Sequence, residues 1–461
     1  MNSADFSASA LIDIAPDLVW LRTDDTGAQT AVFHSASGAI KTRTLSDIEH
    51  RLLECIDGSR SKTDIAHMLG MSLAQCDDIF RDLITWAPDA ISLRMADPKM
   101  AAKRDKTIAA AIELRDIWAA MNATKDDNDT FHKTGISAAH EQFDSVETTI
   151  SHAYRAPSDA LKNRTYGEAF CDWLLEQGWI TPNARIIEVG CGLGYFAEAL
   201  LTTLSQRRRD LYDTISLTLF DLSPDLAESQ KTVCAEHLGK IRFLHGNIET
   251  YDFAHEKFDL VISNEVIADL SVAPINVADV HNNKATSDAT GLAIKYDLDL
   301  PKSITGPNQT SVINFGAIRF LETLGKCLSE TGKAILTEYG TLDRVPKAVH
   351  LQNHLEFLVQ FGHLKTVSDK LGFQTNIQTL GEMLDFDKAF QPLDTPSFHV
   401  LSKGVLPLLD CAPIPHLAYS REALESLIGP RINQVSNLRF LPLSDPHAFT
   451  PFRFFALSLE R

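Results

Sequence analysis

The sequence lacks paired cysteines and long apolar runs. Its seven cysteines are scattered over 461 residues and form no Cys-x-x-Cys pair, which argues against a zinc site and favours free thiols in a reducing compartment. No apolar run approaches the roughly 20 residues of a membrane-spanning helix. We therefore expect a cytoplasmic protein with no metal centre and no membrane partner.

Positive charge is also scarce. Lys and Arg total 43 against 61 Asp and Glu, a formal net charge of −18. Such a chain repels polyanions, which argues against nucleic acid as a partner and leaves basic peptides or proteins as candidates. Residues 1–17 carry Asp5, Asp13 and Asp17 but neither Lys nor Arg, so we expect neither a secretory signal nor a transit peptide there.

The most informative segment runs from Arg185 to Phe196. An apolar stretch containing Glu188 is followed by Gly190, Gly192 and Gly194, and then by a helical pattern. This order predicts a buried parallel strand, a tight turn and the first helix of a nucleotide-binding sheet. Glycines allow the backbone to approach a ligand closely. The acid before the turn suits a cationic ligand such as S-adenosylmethionine, which carries an ammonium and a sulfonium.

The glycine spacing leaves a second cofactor open. Counted from Gly192, the segment fits the dinucleotide pattern Gly-x-Gly-x-x-Ala, which ends at Ala197. Counted from Gly190, the third glycine of that pattern would fall on Tyr195, and the fit fails. A nicotinamide oxidoreductase is therefore an alternative to a methyltransferase.

Strands alternate with helical segments from residue 185 onward. Helix-rich crossovers between them predict an α/β fold, a doubly wound, mostly parallel, seven-stranded sheet. We place its domain at 181–461, with insertions at about 271–312 and 386–443. The predicted strands are Arg185–Val189, Ile215–Phe220, Ile241–His245, Phe258–Ser263, Lys333–Glu338, Gln374–Gln378 and Arg453–Leu459.

Residues 1–95 form a separate unit with a winged-helix pattern. Three short strands, predicted at Leu18–Leu21, Ala31–His34 and Ala39–Thr42, precede three helical segments. The third helix carries several aspartates and few cations, which disfavours contact with phosphates. Residues 96–180 are expected to be a helical connector and cofactor cover, with a long helix at Met100–Asn122, a loop to Gly135 and further helix to Gly178.

Polar side chains occur where the predicted parallel strands end. Ligands of doubly wound sheets bind at these carboxyl ends. Asp221 can accept hydrogen bonds from both ribose hydroxyls, and Asn247 has the position expected of an adenine contact. The candidate cofactor-binding residues are Tyr166, Glu188, Gly190, Cys191, Gly192, Gly194, Asp221, Leu222, Asn247, Ile248 and Asn264.

Three motifs resemble those of MidA-like class I methyltransferases. Residues 262–270 (Ile-Ser-Asn-Glu-Val-Ile-Ala-Asp-Leu) resemble that family's Asn-Glu-x-x-x-Asp-x-Leu segment. Residues 338–340 (Glu-Tyr-Gly) and 166–168 (Tyr-Gly-Glu) are similar to its acidic-Tyr-Gly and Phe-Gly-Glu motifs. Cys191 stands where a proline is expected. The resemblance spans about 145–390 and implies S-adenosylmethionine as cofactor and a protein arginine as acceptor.

The N-terminal unit resembles the PqqD-like peptide-recognition domain. The resemblance rests on the first helix and turn, residues 45–58, and on Asp64-Ile65-Ala66 at the start of the second helix. It implies that a peptide adds a strand beside the small sheet and packs against the third helix. A purely structural winged-helix module is the alternative.

Glu265 and Asp269 are the candidate catalytic residues. They are four positions apart and would share one face of a helix. Two carboxylates there could bind a guanidinium through charge-assisted hydrogen bonds and would repel a carboxylate acceptor. Alternatively, Asn264 caps a helix whose first turn favours Glu265.

These observations predict an S-adenosylmethionine-dependent methyltransferase acting on a peptide or protein side chain, with arginine nitrogen as the first choice. Methyl transfer needs alignment more than a nucleophilic side chain, so Cys191 is interpreted as a small residue beside the cofactor. The alternatives are an NAD(P)-dependent oxidoreductase and a catalytically inactive, methyltransferase-like adaptor or assembly factor.

Overall fold

A computed structural model describes residues 11–22, 28–35, 38–94, 150, 155–300, 310–350, 355–412, 414, 419–445 and 451–461. The chain divides into two compact units, Met1–Ala111 with Ala389–Phe449, and Ile112–Lys388 with Thr450–Arg461. Within the described ranges, no helix is long and apolar enough to cross a membrane. The helix predicted at Met100–Asn122 and the loop after it lie outside the described residues.

The bounds of the elements are as follows. The strands are β1 (Leu11–Ile14), β2 (Leu18–Arg22), β3 (Gln29–His34), β4 (Ile40–Leu45), β5 (Ile91–Arg94), β6 (Arg185–Val189), β7 (Ser216–Asp221), β8 (Ile241–His245), β9 (Phe258–Asn264), β10 (Ala273–Asn276), β11 (Thr310–Ile313), β12 (Leu328–Thr341), β13 (Ala348–His350), β14 (Leu355–Phe357), β15 (Val359–Gln360), β16 (Gln374–Thr379) and β17 (Phe454–Glu460). The α-helices are α1 (Asp47–Glu54), α2 (Lys62–Leu69), α3 (Leu73–Trp86), α4 (Tyr166–Glu176), α5 (Tyr195–Arg207), α6 (Arg209–Tyr212), α7 (Ala227–Val233), α8 (Val277–His281), α9 (Asp288–Lys295), α10 (Phe315–Cys327), α11 (Phe361–Lys370), α12 (Leu380–Met383), α13 (Thr395–Val400), α14 (Leu406–Leu408) and α15 (Arg421–Ile428).

The second unit is built on one large sheet in the order β16-β17-β12-β9-β6-β7-β8, and β15 also pairs with β12. Strands β12, β9, β6, β7 and β8 are parallel, whereas β17 runs antiparallel to both of its neighbours. The predicted doubly wound, mostly parallel sheet is confirmed. Its central strands are continuous buried apolar runs, as expected of strands covered on both faces.

The first strand of the sheet lies at its centre. The chain goes from β6 to β7 on one side, and β9 pairs with β6 on the other. The strand order therefore reverses at β6, and a crevice for a ligand is expected beyond the carboxyl end of this strand. The glycine turn follows β6 directly, so the topology places it at that crevice.

The first unit contains the antiparallel sheet β2-β3-β4 and helices α1 to α3. Ser46, Ser61 and Ser72 begin the three helices, each with a capping box. The apolar faces of the helices pack on one face of the sheet, against Trp20 and Phe33. The antiparallel pair β1 and β5 was not predicted.

The segment 389–449 covers the other face of this small sheet. Val19, Leu21 and Val32 share a core with Leu401 and Val405 of that segment. From the sequence we place residues 386–443 in the catalytic domain, because they precede its last strand. The contacts instead join 389–449 to the N-terminal strands, since these strands are apolar on both faces and need cover on both.

The two outer strands of the small sheet differ at their edges. Along β2, the backbone N–H of Ser436 donates to the carbonyl oxygen of Trp20 (2.8 Å), and Asn437 Nδ2 donates to the carbonyl oxygen of Leu18 (2.6 Å). On the outer side of β4, no strand pairs with it within the described ranges. The edge of β2 is thus covered, whereas the outer edge of β4 has no paired strand in the part of the chain that the structure describes.

Candidate functional site

The turn after β6 depends on its glycines. Gly190, Gly192 and Gly194 have φ values of +72°, +50° and +89°, in the left-handed region. A Cβ on Gly190 would lie 2.1 Å from Val266 Cγ2, whereas a Cβ on Gly192 would meet no heavy atom within 4 Å. Gly190 is therefore needed for packing, and Gly192 borders open space into which a ligand can fit.

Asp221 ties the turn to the next strand. Its Oδ2 accepts a hydrogen bond from the backbone N–H of Gly192 (2.9 Å), and its Oδ1 accepts one from that of Ser223 (3.0 Å). Gln230 Nε2 donates to the carbonyl oxygen of Gly192 (2.8 Å). Carboxylate oxygens have further lone pairs, so these bonds leave Asp221 able to accept a ribose hydroxyl.

Cys191 is buried within the turn. Burial, together with the nearby carboxylates Asp221 and Glu188, raises the pKa of its thiol well above the usual range. A thiol that keeps its proton is a poor nucleophile. This agrees with its interpretation as a small residue beside the cofactor.

Glu188 is buried beneath the turn with 3% of its surface exposed. Burial, and secondarily the charge of Asp221, raises the pKa of Glu188 to about 8. Its Oε2 has no hydrogen-bond partner among the described residues. An unsatisfied buried carboxyl oxygen is unfavourable, and a cationic N–H donor bound at the turn would satisfy it. The site thus fits the ammonium end of S-adenosylmethionine.

The residues after β7 and β8 have local roles. Asn247 Oδ1 accepts a hydrogen bond from the backbone N–H of Glu249 (2.9 Å), and its carbonyl oxygen accepts one from that of Tyr251 (2.8 Å). Ile248 is buried and Leu222 is half-buried. The expectation that these side chains contact adenine stays a prediction.

Tyr166 and Asn264 are joined at the ends of α4 and β9. The buried Tyr166 hydroxyl donates to Asn264 Oδ1 (2.5 Å), and Thr337 Oγ1 donates to the same oxygen (2.7 Å). Asn264 Nδ2 in turn donates to Glu265 Oε1 (3.4 Å). Three elements of the second unit are thus linked through one amide, which orients its NH₂ group toward the carboxylate.

The prediction that Glu265 and Asp269 share a helix face is wrong. Glu265 has φ +54°, and residues 265–270 form turns in which the N–H of Asp269 donates to the carbonyl oxygen of Val266 (3.1 Å). The backbone N–H of Glu265 donates to the carbonyl oxygen of Thr337 (2.9 Å), so the chain stays bound to β12 where a helix would have to begin. Asn264 therefore caps no helix.

The two carboxylates nevertheless lie in one acidic region. Glu338 is buried at the end of β12, and its Oε2 accepts a hydrogen bond from the backbone N–H of Ala268 (3.2 Å). Burial, and then the charges of Glu356, Glu265 and Asp269, raises the pKa of Glu338 well above its usual range. This end of the sheet therefore carries a cluster of carboxyl groups that a cation would stabilise.

Two members of this region were not predicted from the sequence. Glu356 lies on β14, which is outside the predicted strands. Ile150 donates its backbone N–H to Glu265 Oε2 (3.1 Å), and an apolar residue gives no sequence signal for such a backbone contact. Among the described residues, no group of three or more His, Cys, Asp or Glu is arranged to hold a metal ion.

Residues 165–355 match a family model described as "Putative S-adenosyl-L-methionine-dependent methyltransferase". No curated protein matches the chain. The matched residues contain the glycine turn, Asp221, Asn264 and three members of the acidic region, Glu265, Asp269 and Glu338. The match confirms S-adenosylmethionine as the predicted cofactor and methyl transfer as the reaction class, and so decides between the cofactors that the glycine spacing left open.

Three solved structures illustrate the similarity. A superfamily member from Burkholderia thailandensis bound to S-adenosylhomocysteine has a TM-score of 0.38 and 15% identity, over 66% of this chain and 76% of its own. An uncharacterized protein of that superfamily from the same organism has a TM-score of 0.40 and 15% identity, over 80% of this chain and 95% of its own. The 1,6-didemethyltoxoflavin-N1-methyltransferase of Burkholderia thailandensis has a TM-score of 0.29 and 10% identity, over 64% of this chain and 78% of its own.

Two glycine variants test the turn. We expect Gly192→Ala to fold with a strain of about 1 kcal/mol but to lose S-adenosylhomocysteine binding, because its methyl group enters the open space. We expect Gly190→Ala to destabilise the second unit itself, because of the contact with Val266. Calorimetric titration and thermal unfolding measure the two effects.

Val266→Ala is the control, and it should partly rescue Gly190→Ala and not Gly192→Ala. Normal binding by Gly192→Ala would contradict the assignment.

The raised pKa of Glu188 predicts that binding of S-adenosylhomocysteine releases a proton from this side chain. Its pKa of about 8 means that the free protein holds a proton there at neutral pH, and a cationic ligand displaces it. Affinity for S-adenosylhomocysteine should therefore rise between pH 6 and 7.5, by up to about tenfold per unit, and Glu188→Gln should abolish the slope.

Calorimetry in two buffers of different ionisation heat at pH 7 should show the release of one proton by the wild type. Equal observed heats in the two buffers would contradict the prediction. The Glu188→Gln variant is the control, since it binds without a proton to lose.

Proposed function

We propose that this protein transfers a methyl group from S-adenosylmethionine to a cationic side chain of a peptide or protein, arginine nitrogen being the first choice. The observation that carries the proposal is the cluster of carboxyl groups, Glu265, Asp269, Glu338 and Glu356, at the carboxyl end of the sheet. Residues 258–283 and 334–343, which contain the first three, include neither Lys nor Arg. A cationic acceptor is the charge that such a region attracts.

The chain divides cofactor and acceptor between neighbouring strand ends. Glu188 and the Gly192 turn would hold the amino-acid portion of the cofactor, and Asp221 would hold the ribose. The bound cofactor supplies a methyl group on a positively charged sulfur. The residues of the chain then have to align the acceptor nitrogen with that methyl group and exclude water, and alignment can contribute roughly 7–11 kcal/mol.

Glu265 is the group best placed to hold the acceptor. Its carboxylate is oriented by Asn264 Nδ2 and by the backbone N–H of Ile150. A carboxylate so held can accept hydrogen bonds from a guanidinium. When the nitrogen gains the methyl group it loses a proton, and Glu265 is the base that would receive it. The sulfonium leaves as a neutral thioether, so charge balances.

The test is methyl incorporation by the full chain. With tritiated S-adenosylmethionine and arginine-containing peptides, we expect label on the guanidinium, and a loss of at least about a hundredfold for Glu265→Gln with S-adenosylhomocysteine binding unchanged. Glu228→Gln, at an exposed carboxylate paired with Lys231, is the matched control. Label on carboxylates or on small molecules alone would contradict the acceptor class. Cofactor binding without any incorporation would favour an inactive adaptor.

The same proposal gives the first unit the role of holding an extended peptide. No described strand pairs with the outer edge of β4, and beside this edge α1 and α3 border a cleft of about 520 Å³. Ile48 and Ile79 supply apolar surface in the cleft. The acids Glu49 and Asp82 pair with Arg43, and Asp78 pairs with Arg81, so three acids against two arginines leave the cleft with a small excess of negative charge. This favours a peptide strand with an apolar side chain flanked by Lys or Arg. Tethering the substrate raises its concentration near the catalytic unit.

A peptide library displayed on phage and selected on the full chain tests this role. We expect enrichment of an apolar residue flanked by cations, and loss of the selected binding in Ile79→Ser. Met68→Ser is the matched control, because Met68 is an exposed apolar residue (52%) outside the cleft. Equal losses in both variants, or enrichment of acidic peptides, would contradict it.

A further inference from the structure

The segments at the carboxyl edge of the large sheet supply carboxylates and neither Lys nor Arg. Neither Lys nor Arg occurs in the segments that contain the ends of β6, β7, β8, β9 and β12 and the residues after them. These segments are 186–206, 210–230, 243–256, 258–283 and 334–343. Positive charge at this edge has to come from other parts of the chain. At the end of β12 it comes from Arg453, whose guanidinium carbon is 4.9 Å from the centroid of the Tyr339 ring.

The cofactor itself carries a negative group. Besides its ammonium and sulfonium, S-adenosylmethionine has an α-carboxylate, which Glu188 and Asp221 would repel. The first turn of α5 points backbone N–H groups toward the glycine turn, and Gly194 provides no side-chain cap for them. These donors favour an anion, and a neighbouring cation would complete the site.

Arg155 lies beside this helix start. Its guanidinium carbon is 4.7 Å from the centroid of the Tyr195 ring. Tyr195 is the first residue of α5 and follows Gly194 directly, and its side chain packs against Leu193 and Leu226. A ring held in this way supports a planar guanidinium next to the turn. Arg155 belongs to the predicted cofactor cover and was not among the predicted site residues.

We propose that Arg155 binds the α-carboxylate of the cofactor. The proposal rests on the assignment of S-adenosylmethionine to the glycine turn, and it does not depend on the acceptor. The sheet edge then holds the positive groups of the ligand, and the cover holds its negative group. A guanidinium can donate two parallel hydrogen bonds to a carboxylate, which also orients the amino-acid portion.

The test compares two ligands that share the nucleoside. S-adenosylhomocysteine carries the α-carboxylate, whereas 5′-methylthioadenosine lacks the whole amino-acid portion. By calorimetric titration, Arg155→Gln should weaken S-adenosylhomocysteine binding about tenfold to a hundredfold and change 5′-methylthioadenosine binding less than about twofold. Arg155→Lys, which keeps the charge and loses the paired geometry, should lie between the wild type and Arg155→Gln.

The matched control is Arg185→Gln. Arg185 lies at the opposite end of β6, where it pairs with Asp259, and its replacement should leave both affinities unchanged. Unaltered S-adenosylhomocysteine binding by Arg155→Gln would overturn the proposal. An equal loss for both ligands would also overturn it, since that is the result expected if Arg155 only supports Tyr195. If the wild type bound neither ligand, the cofactor assignment itself would fail.

Discussion

The site depends on carboxyl groups that are buried without a cationic partner among the described residues. Glu188 and Glu338 are 3% and 5% exposed, and burial raises the pKa of each. A buried carboxylate without a cationic partner is unfavourable, so these groups keep their protons until a positive charge arrives. The glycine turn, the bond from Gly192 to Asp221 and the left-handed Glu265 all serve to hold acidic groups around a space that a cation can enter.

The sequence predicted those parts of the site that are local. The strand before Gly190, the acid within it and the helix after it follow from patterns a few residues long, and the structure has them within one or two residues. The helix predicted after Asn264 rested on an equally short pattern, and that prediction is wrong. The conformation of Glu265 is decided by Thr337 and Ile150, which are distant in sequence, and no propensity of residues 264–269 records those contacts.

The placement of segment 389–449 shows the same limit at the level of a domain. In the sequence this segment lies between β16 and β17 of the large sheet, and we therefore predicted that it is an insertion in the catalytic domain. Leu18–Leu21 and Ala31–Phe33, however, are apolar at every position. A strand buried on only one face would alternate. The lack of alternation in these two strands therefore indicates that the second face of the small sheet is also covered. It does not identify the segment that covers it.

Negative and positive side chains around the cofactor site lie on different elements of the second unit. The five segments that contain the ends of the parallel strands of the large sheet carry acids and neither Lys nor Arg. A zwitterionic ligand with two positive groups and one negative group therefore cannot be bound by the sheet alone, because its carboxylate would face acids on every neighbouring strand. We propose that Arg155, in the cover before β6, supplies the complementary charge. In this arrangement a change in the cover alters affinity for the amino-acid portion, and a change at the strand ends alters affinity for the cations.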